Sequence, residues 1–340
     1  MKKRIFWLLT IVLLSIVIYH HMLIGYVIGQ AEGQFKVLWN AQPIVELLEN
    51  SAVPDSIKQK LLIVNEVRAF AFNELGLTSN ENYTTYFDQQ GKAILWVVTA
   101  CYPYKFEPKE WSFPMIGSFS YKGFFEIEKA KKLANELEGE GFDVEMSSVS
   151  GWSTLGWFKD PVLSNMLDGS VGSMSNTLIH ELTHGTLFIP DSMTFNENLA
   201  SFVGTKGALE FLQNKYGANA QEVSKYADRL SDIDRFTNYM VLGASQLDSI
   251  YTGLSNETLA LKEEQKQRFI KMFKENIDTV NFISPQRYQQ LFKERNINNA
   301  GFISFLKYRE RQHEFDTQLT NDFNSDLSTF IMYWKELYPN

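Results

Sequence analysis

Cysteine is almost absent from this sequence, with one among 340 residues. That scarcity excludes a disulfide-stabilised scaffold and a zinc finger held by thiolates. Basic residues are also in deficit, with 32 Lys and Arg against 40 Asp and Glu and a net charge of -8. Because nucleic-acid affinity depends on Lys and Arg that neutralise phosphates, we expect no nucleic-acid partner. The hydrophobic share of 44% predicts a folded chain with a sizeable core.

The N-terminus has the charge and hydropathy pattern of a membrane segment. Basic residues at positions 2–4 precede an apolar run over residues 5–28 that two histidines interrupt. About 20 helical residues cross a bilayer, so residues 1–24 are predicted to form an uncleaved signal-anchor transmembrane helix. A cleaved signal peptide is the alternative, although no small-x-small cleavage site is evident. In a bacterial cell this interpretation predicts a single-pass inner-membrane protein, with residues 25–340 as one periplasmic domain.

The rest of the chain contains the periodicities of both helices and strands. Some segments repeat apolar side chains at helical spacing, and others are rich in β-branched and aromatic residues, as strands are. From residue 173 onward almost every pattern is helical. The predicted fold class is therefore α+β, with a small sheet in the N-terminal half and a mostly α-helical C-terminal half, preceded by the transmembrane helix. The segments predicted in the first half are helices over 56–75 and 125–137 and strands over 93–100, 115–121 and 142–149.

The sequence His180-Glu181-Leu182-Thr183-His184 carries the clearest chemical signal. No Gly or Pro interrupts residues 173–184, so helix geometry places the two imidazoles on one face. That spacing lets both bind one Zn²⁺, while Glu181, about 100° around the helix from His180, flanks the metal and can reach a bound water. Two of the three histidines beyond the N-terminal segment fall in this motif, and His313 is the third.

A third metal ligand is expected from the next helix. Pro190 and Asp191 must turn the chain, after which Thr194 can cap a new helix. One turn out and one turn back brings Glu197 level with His184, completing a His, His, Glu zinc site with an open fourth position. In the alternative, Thr194 and Glu197 form only a capping box. Asp191 is a weaker candidate ligand.

These residues resemble a known family, the bacterial predicted, membrane-associated aminopeptidases, a branch of the HExxH-plus-Glu zinc metallopeptidases called gluzincins. The resemblance implies a zincin-like HExxH helix, peptide hydrolysis and a Zn²⁺ cofactor held by His180, His184 and Glu197. Ser201 stands where related gluzincins often place an Asp behind a ligand. The segments that carry the resemblance are residues 107–114, 121–125, 153–163, 179–184, 195–203 and 298–300, with Tyr308.

Such a site also needs groups beyond the metal ligands. Glu181 would act as general base and then protonate the leaving amine. A second electrophile for the oxyanion is often a Tyr or His, which makes Tyr308 the predicted catalytic residue and His313 the other candidate. The alternative for Tyr308 is a half-buried side chain on a helix. Glu107 or Asp160 could bind the substrate amine, but each could equally be a surface charge.

The predicted function is a membrane-anchored, zinc-dependent peptidase, specifically an aminopeptidase, that acts on peptides outside the cytoplasm. The alternative is a non-catalytic envelope protein with a structural zinc site or a partner-binding helical surface. An open fourth coordination position favours catalysis, because structural zinc sites close it with a protein ligand. The expected partners are a peptide substrate and, through the N-terminal helix, the membrane. The sequence leaves the oligomeric state open.

Overall fold

Helices form most of the protein, and its strands are short. The computed structural model describes residues 7, 21–113, 117–149, 159–190, 192–295, 297–307 and 311–338. Its helices are α1 (His21–Asn40), α2 (Ile44–Glu49), α3 (Asp55–Asn73), α4 (Ile127–Gly139), α5 (Val171–His184), α6 (Met193–Tyr216), α7 (Gln221–Gly253), α8 (Leu259–Glu275), α9 (Pro285–Glu294), α10 (Asn299–Lys307), α11 (Gln312–Phe323) and α12 (Leu327–Leu337). Its strands are β1 (Gln42–Pro43), β2 (Thr85–Phe87), β3 (Trp96–Cys101), β4 (Trp111–Phe113), β5 (Gly117–Phe119), β6 (Tyr121–Phe124), β7 (Asp143–Ser148) and β8 (Val162–Leu163).

Helix α1 packs against the short strands through aromatic and polar side chains. The Tyr26 ring stacks on Phe113 with a centroid distance of 5.6 Å and meets the Phe124 ring edge-on at the same distance. Gln30 donates a hydrogen bond from Nε2 to the carbonyl oxygen of Gly123 at 3.0 Å. These contacts attach α1 to the sheet region of the fold.

The predicted transmembrane helix is not supported by the structure. Among the described residues, none of the helices combines the length and the apolar character that crossing a membrane requires. Helix α1 has 20 residues, but Gln30, Glu32 and Lys36 interrupt its apolar sequence. For the part of the chain that the structure describes, the predictions of a membrane-spanning helix and of a single-pass inner-membrane protein are therefore wrong. Residues 1–6 and 8–20, where most of the predicted helix falls, lie outside that part.

Within the described residues the strands form three small sheets, where the sequence predicts one. The largest antiparallel sheet has the order β6-β3-β7, and Val98 of β3 is paired with Met146 of β7. Strands β3 and β7 correspond to the strands predicted over 93–100 and 142–149. Leu137 of α4 lies in the same apolar cluster as Val98, so this helix covers the sheet. The other two sheets have the orders β1-β2-β8 and β4-β5.

A buried ion pair joins this sheet to the helical half of the chain. Lys266 of α8 places Nζ 2.6 Å from Oδ1 of Asp143 at the start of β7, and the two side chains are only 3% and 13% exposed. The other oxygen of Asp143 accepts a hydrogen bond from the backbone N–H of Asn299 at 2.8 Å. Asn299 in turn accepts from the Tyr251 hydroxyl at 2.8 Å. Asp143 therefore ties α8 and α10 to the sheet.

The largest apolar cluster lies under the two helices that carry the predicted metal ligands. It contains buried side chains of α3, α5, α6, α11 and α12. Helix α3 confirms the helix predicted over 56–75, and its residues Leu61, Val64 and Val67 are completely buried. Leu62 belongs to the same predicted apolar pattern but is 48% exposed, because it lies on the outer side of the helix. This cluster forms a rigid base for α5 and α6.

Candidate metal centre

Helix α5 presents the side chains of the HExxH motif away from the main core. Three of its apolar side chains are completely buried in that core. At about 100° of rotation per residue, His180, Glu181 and His184 lie on the opposite side of the helix from them. The helix ends immediately after His184, where Gly185 is the C-cap. The buried side chains are those of Leu178, Ile179 and Leu182.

The loop after α5 is fastened to the first turn of α6. Asn196 is buried, and its side chain both accepts from the N–H of Ile189 at 2.9 Å and donates to the carbonyl of Ile189 at 2.8 Å. These two bonds fix the position of the adjacent Glu197. The prediction that Thr194 caps this helix is wrong. Helix α6 already begins at Met193, and its N-cap is Ser192.

Helix α6 returns antiparallel to α5 and approaches it closely at Gly204. A Cβ atom at this position would lie 2.8 Å from the carbonyl oxygen of Asn176 and 3.1 Å from the Cβ of His180. Only glycine leaves room for the two backbones at this separation. Glu197 lies about two helical turns before Gly204, on the same face of α6. The close contact therefore brings its carboxylate to the histidines of α5.

Substituting Gly204 with alanine should disturb both stability and metal binding. The added methyl group would overlap a backbone carbonyl that cannot move away, and such overpacking costs about 1–3 kcal/mol of unfolding free energy. Denaturant unfolding of Gly204→Ala measures the loss, and calorimetric titration with Zn²⁺ measures the affinity. Gly139→Ala is the matched control, since no atom lies within 4 Å of the Cβ it would add. Equal stabilities of the two variants would contradict the packing argument.

Three side-chain ligand atoms converge between α5 and α6. The Nε2 atoms of His180 and His184 are 3.2 Å apart. Carboxylate oxygens of Glu197 lie 3.6 Å from Nε2 of His180 and 3.4 Å from Nε2 of His184. Ligand atoms about 2.0–2.2 Å from a tetrahedral Zn²⁺ are about 3.3–3.6 Å from one another. The two Glu197 distances involve different oxygens of its carboxylate, and one ligand atom from each of the three residues lies within 4.8 Å of the other two. The three residues predicted as ligands thus form a group that could hold a metal ion.

Burial and neighbouring groups shift the pKa values of Glu197, His180 and Glu181 in different ways. Burial would raise the pKa of Glu197, but hydrogen bonds from His180 and His184 outweigh it and hold that pKa well below its usual range. Burial would lower the pKa of His180, but the hydrogen bond and charge of Glu197 and the charge of Glu181 raise it overall. Burial raises the pKa of Glu181, and the neighbouring histidines offset this only in part. Glu197 is therefore the anionic ligand, and Glu181 is the more basic carboxylate.

The second nitrogen of each imidazole has a different environment. Oγ of Ser201 lies 3.4 Å from Nδ1 of His180. When Nε2 of His180 binds a metal ion, Nδ1 carries the ring proton and can donate it to this hydroxyl, which would orient the ring. Nδ1 of His184 is buried and has no hydrogen-bond partner among the described residues. Ser201 is therefore placed to orient the His180 ring from behind the candidate ligand group.

Removing the Ser201 hydroxyl should weaken metal binding without removing a ligand. Outer partners of metal-bound histidines typically contribute about 10- to 100-fold in affinity, and we expect Ser201→Ala to fall at the lower end of that range. Competition with a chromophoric zinc chelator measures the change. Ser249→Ala is a suitable control, because Ser249 is exposed on α7 and bonds only to Ser245 of its own helix. An unchanged affinity in Ser201→Ala would show that the 3.4 Å contact does not orient the ring.

The other candidate site residues lie outside the described residues or outside the ligand group. Tyr308 and Asp191 lie outside the described residues. His313 is exposed on α11 and does not belong to the ligand group. Tyr121, at the start of β6, was not predicted as a site residue, although it opens one of the segments that carry the family resemblance. Burial and, to a smaller extent, the charges of Glu197 and Tyr26 raise the pKa of Tyr121 to about 12, so its hydroxyl stays protonated.

The two carboxylates considered for amine binding lie in different environments. Glu107 is exposed, and its Oε2 lies 2.6 Å from Nζ of Lys105, so it is a paired surface charge. Asp160 is completely buried, which contradicts its interpretation as a surface charge. Its N–H donates to the Asn82 side chain at 3.1 Å, and its carbonyl accepts from the N–H of Tyr83 at 2.6 Å. The backbone of Asp160 therefore supports the segment that leads into β2.

Comparison with known proteins adds a family to this geometry. No curated protein and no solved structure matches the chain. The sequence model of the family described as "Putative aminopeptidase" matches residues 25–339. That range contains α5 and α6 with all three candidate ligands, and it spans nearly the whole chain. The protein therefore belongs to this aminopeptidase family.

Proposed function

We propose that the protein is a zinc-dependent aminopeptidase of the gluzincin type. The observation that carries the proposal is the convergence of the two HExxH imidazoles and Glu197, whose ligand atoms, one from each residue, all lie within 4.8 Å of one another. Membership of the aminopeptidase family supports peptides as the substrate and their N-termini as the point of attack. The neighbouring Glu181 supplies the base that such a site requires.

The chemistry of the donor set favours zinc and catalysis. Two imidazole nitrogens and one carboxylate oxygen are ligands typical of catalytic Zn²⁺. No fourth ligand joins the group among the residues that the structure describes. A structural zinc site would be closed by a fourth protein ligand, so the geometry argues against the alternative of a non-catalytic protein with a structural metal. When bound, Zn²⁺ would lower the pKa of a water in the open position and polarise the peptide carbonyl.

The residues of the chain would then perform the proton transfers. Glu181 accepts the proton of the attacking water and delivers it to the departing amine, a role that its raised pKa suits. Ser201 keeps the His180 ring in the orientation that directs Nε2 to the ligand group. For the developing oxyanion, Tyr308 stays the candidate that the sequence supplies.

The test combines metal analysis with two substrate panels. The purified 340-residue chain is assayed on chromogenic amino-acid amides and on internally quenched peptides with blocked N-termini, with and without a chelator. We expect one zinc per chain, hydrolysis of the amides, loss of activity on chelation and recovery when zinc is restored. Cleavage of the blocked peptides alone would contradict an aminopeptidase. A stoichiometrically zinc-loaded protein that is inert on both panels would favour the structural site.

A further inference from the structure

A polar cavity of about 230 Å³ lies between α5, α6, α7 and α11. Helix α5 contributes Ser173, Asn176 and Thr177 to its lining, and α6 contributes Ser201 and Thr205. Arg229 of α7 provides the only charge among the described lining residues. The volume is sufficient for a side chain or a chain end of a peptide, and the lining is suited to a polar ligand.

The cavity continues the two rows of side chains that form the candidate metal centre. Thr177 and Ser173 precede Glu181 by four and eight residues on α5, so they lie on the same face of that helix. On α6, Ser201 and Thr205 follow Glu197 at the same four-residue intervals. The cavity therefore begins about one helical turn from the ligand group and extends to about two, which is about 5–11 Å.

Arg229 brings a half-buried positive charge to this cavity, and no carboxylate lines the cavity beside it in the part of the chain that the structure describes. Burial lowers the pKa of Arg229, and the nearby charge of Arg287 lowers it further. A guanidinium nevertheless stays charged at any physiological pH. Its planar, two-pronged donor pattern matches a carboxylate, which would supply a negative charge.

We propose that this cavity binds a carboxylate of the peptide substrate, and that Arg229 is a specificity-determining residue of the enzyme. The inference rests on the proposed function, because the cavity acquires this role only if peptides are cleaved at the adjacent metal centre. An extended peptide advances about 3.3–3.6 Å per residue, so a carboxylate within one to three residues of the scissile bond can reach the cavity. It can come from the C-terminus of a short peptide or from an acidic side chain beside the bond.

Matched substrate pairs distinguish these two sources. One pair is trialanine as the free acid and as the C-terminal amide, and the other is the anilide of glutamate and that of glutamine. A charge-assisted contact predicts that kcat/KM favours the carboxylate member of one pair by about 10- to 100-fold. In Arg229→Gln that ratio should fall close to one, and in Arg229→Lys, which keeps charge but not the fork, it should be intermediate. The control Arg268→Gln removes an exposed arginine of α8 and should keep the wild-type ratio.

The outcomes separate this inference from the proposed function. If wild-type protein cleaves the neutral substrates but shows no carboxylate preference in either pair, the inference is wrong and the peptidase stands. If it cleaves none of the four, the proposed function fails and with it the role of Arg229 in specificity, and calorimetric binding of trialanine to the metal-free chain decides whether the cavity binds a carboxylate. Equal affinity for the acid and the amide, or equal affinities of wild type and Arg229→Gln for the acid, would overturn it. Thermal unfolding of each variant shows whether it is folded.

Discussion

Replacing Glu181 with glutamine should lower kcat/KM for peptide hydrolysis by about 10²- to 10⁴-fold, the range that a general base contributes. Glutamine keeps the shape of the side chain but cannot accept the proton of the attacking water. Glu181 does not belong to the group of three ligands, so metal content should stay close to that of wild type. Hydrolysis of an amino-acid amide and metal analysis of the same preparation measure both quantities.

A matched control shows whether the effect belongs to this position. Glu138→Gln makes the same change at an exposed position of α4 and should leave kcat/KM unaltered. Undiminished hydrolysis by Glu181→Gln would remove Glu181 as the base. A loss of activity accompanied by an equal loss of metal would instead make Glu181 a ligand.

Replacing Glu197 with alanine should lower the affinity for zinc by more than about 100-fold, the upper limit for outer partners, because a ligand itself is lost. The metal would keep two histidines only. At a zinc concentration of 100 times the wild-type Kd, binding stabilises the wild type by about 2.7 kcal/mol, whereas a 100-fold weaker variant gains only about 0.4 kcal/mol. Thermal unfolding with and without zinc measures this difference directly.

The same helix offers the control for this change. Glu210→Gln alters a partly buried carboxylate that lies thirteen residues further along α6, and it should keep the full zinc-dependent stabilisation. Glu197→Gln keeps the volume of the side chain and tests whether the charge or the shape matters. Zinc stabilisation of Glu197→Ala equal to that of wild type would show that the ion is held elsewhere or by other groups.

The local part of the metal centre could be predicted because it depends on helix geometry alone. Two histidines four residues apart share a helix face in any tertiary context. Glu197 followed from the same reasoning, since one turn out and one turn back returns the chain to its starting level. The position of the loop between α5 and α6 could not be predicted. It depends on Asn196 bonding both backbone groups of Ile189, a contact that no periodicity reveals.

Features that depend on contacts between distant segments could not be predicted from the sequence. Arg229 reaches the cavity from α7, and Tyr121 reaches the neighbourhood of Glu197 from a strand 76 positions earlier in the numbering. Asn299 shows that a residue in a segment resembling the family does not always belong to the site. It lies in one of the segments that carry the family resemblance, yet its hydrogen bonds go to Tyr251, to Asp143 and to the carbonyl of Tyr102, which makes it a structural residue.

The N-terminal prediction failed because hydropathy alone does not report what a helix packs against. The apolar residues before Ile28 suggest a bilayer, but the described helix continues through Gln30, whose amide is bonded to Gly123. Gly33 lets the ring of Phe125 approach closely, since a Cβ there would lie 2.1 Å from a ring carbon. A glycine in this position indicates helix packing on protein, which a count of apolar residues cannot reveal.

The Asp143 junction also limits how the chain can be divided. Its carboxylate contacts an ammonium group of α8 and a backbone amide of α10, and all three groups are shielded from water. A fragment ending before α8 would lose the ammonium partner of this carboxylate, and water would hydrate both charges in the separate pieces. The same division would separate α3, α5 and α6 from α11 and α12, whose side chains share the largest apolar cluster. Division of the chain between α7 and α8 should consequently yield insoluble pieces, because each piece would expose its part of a shared apolar cluster.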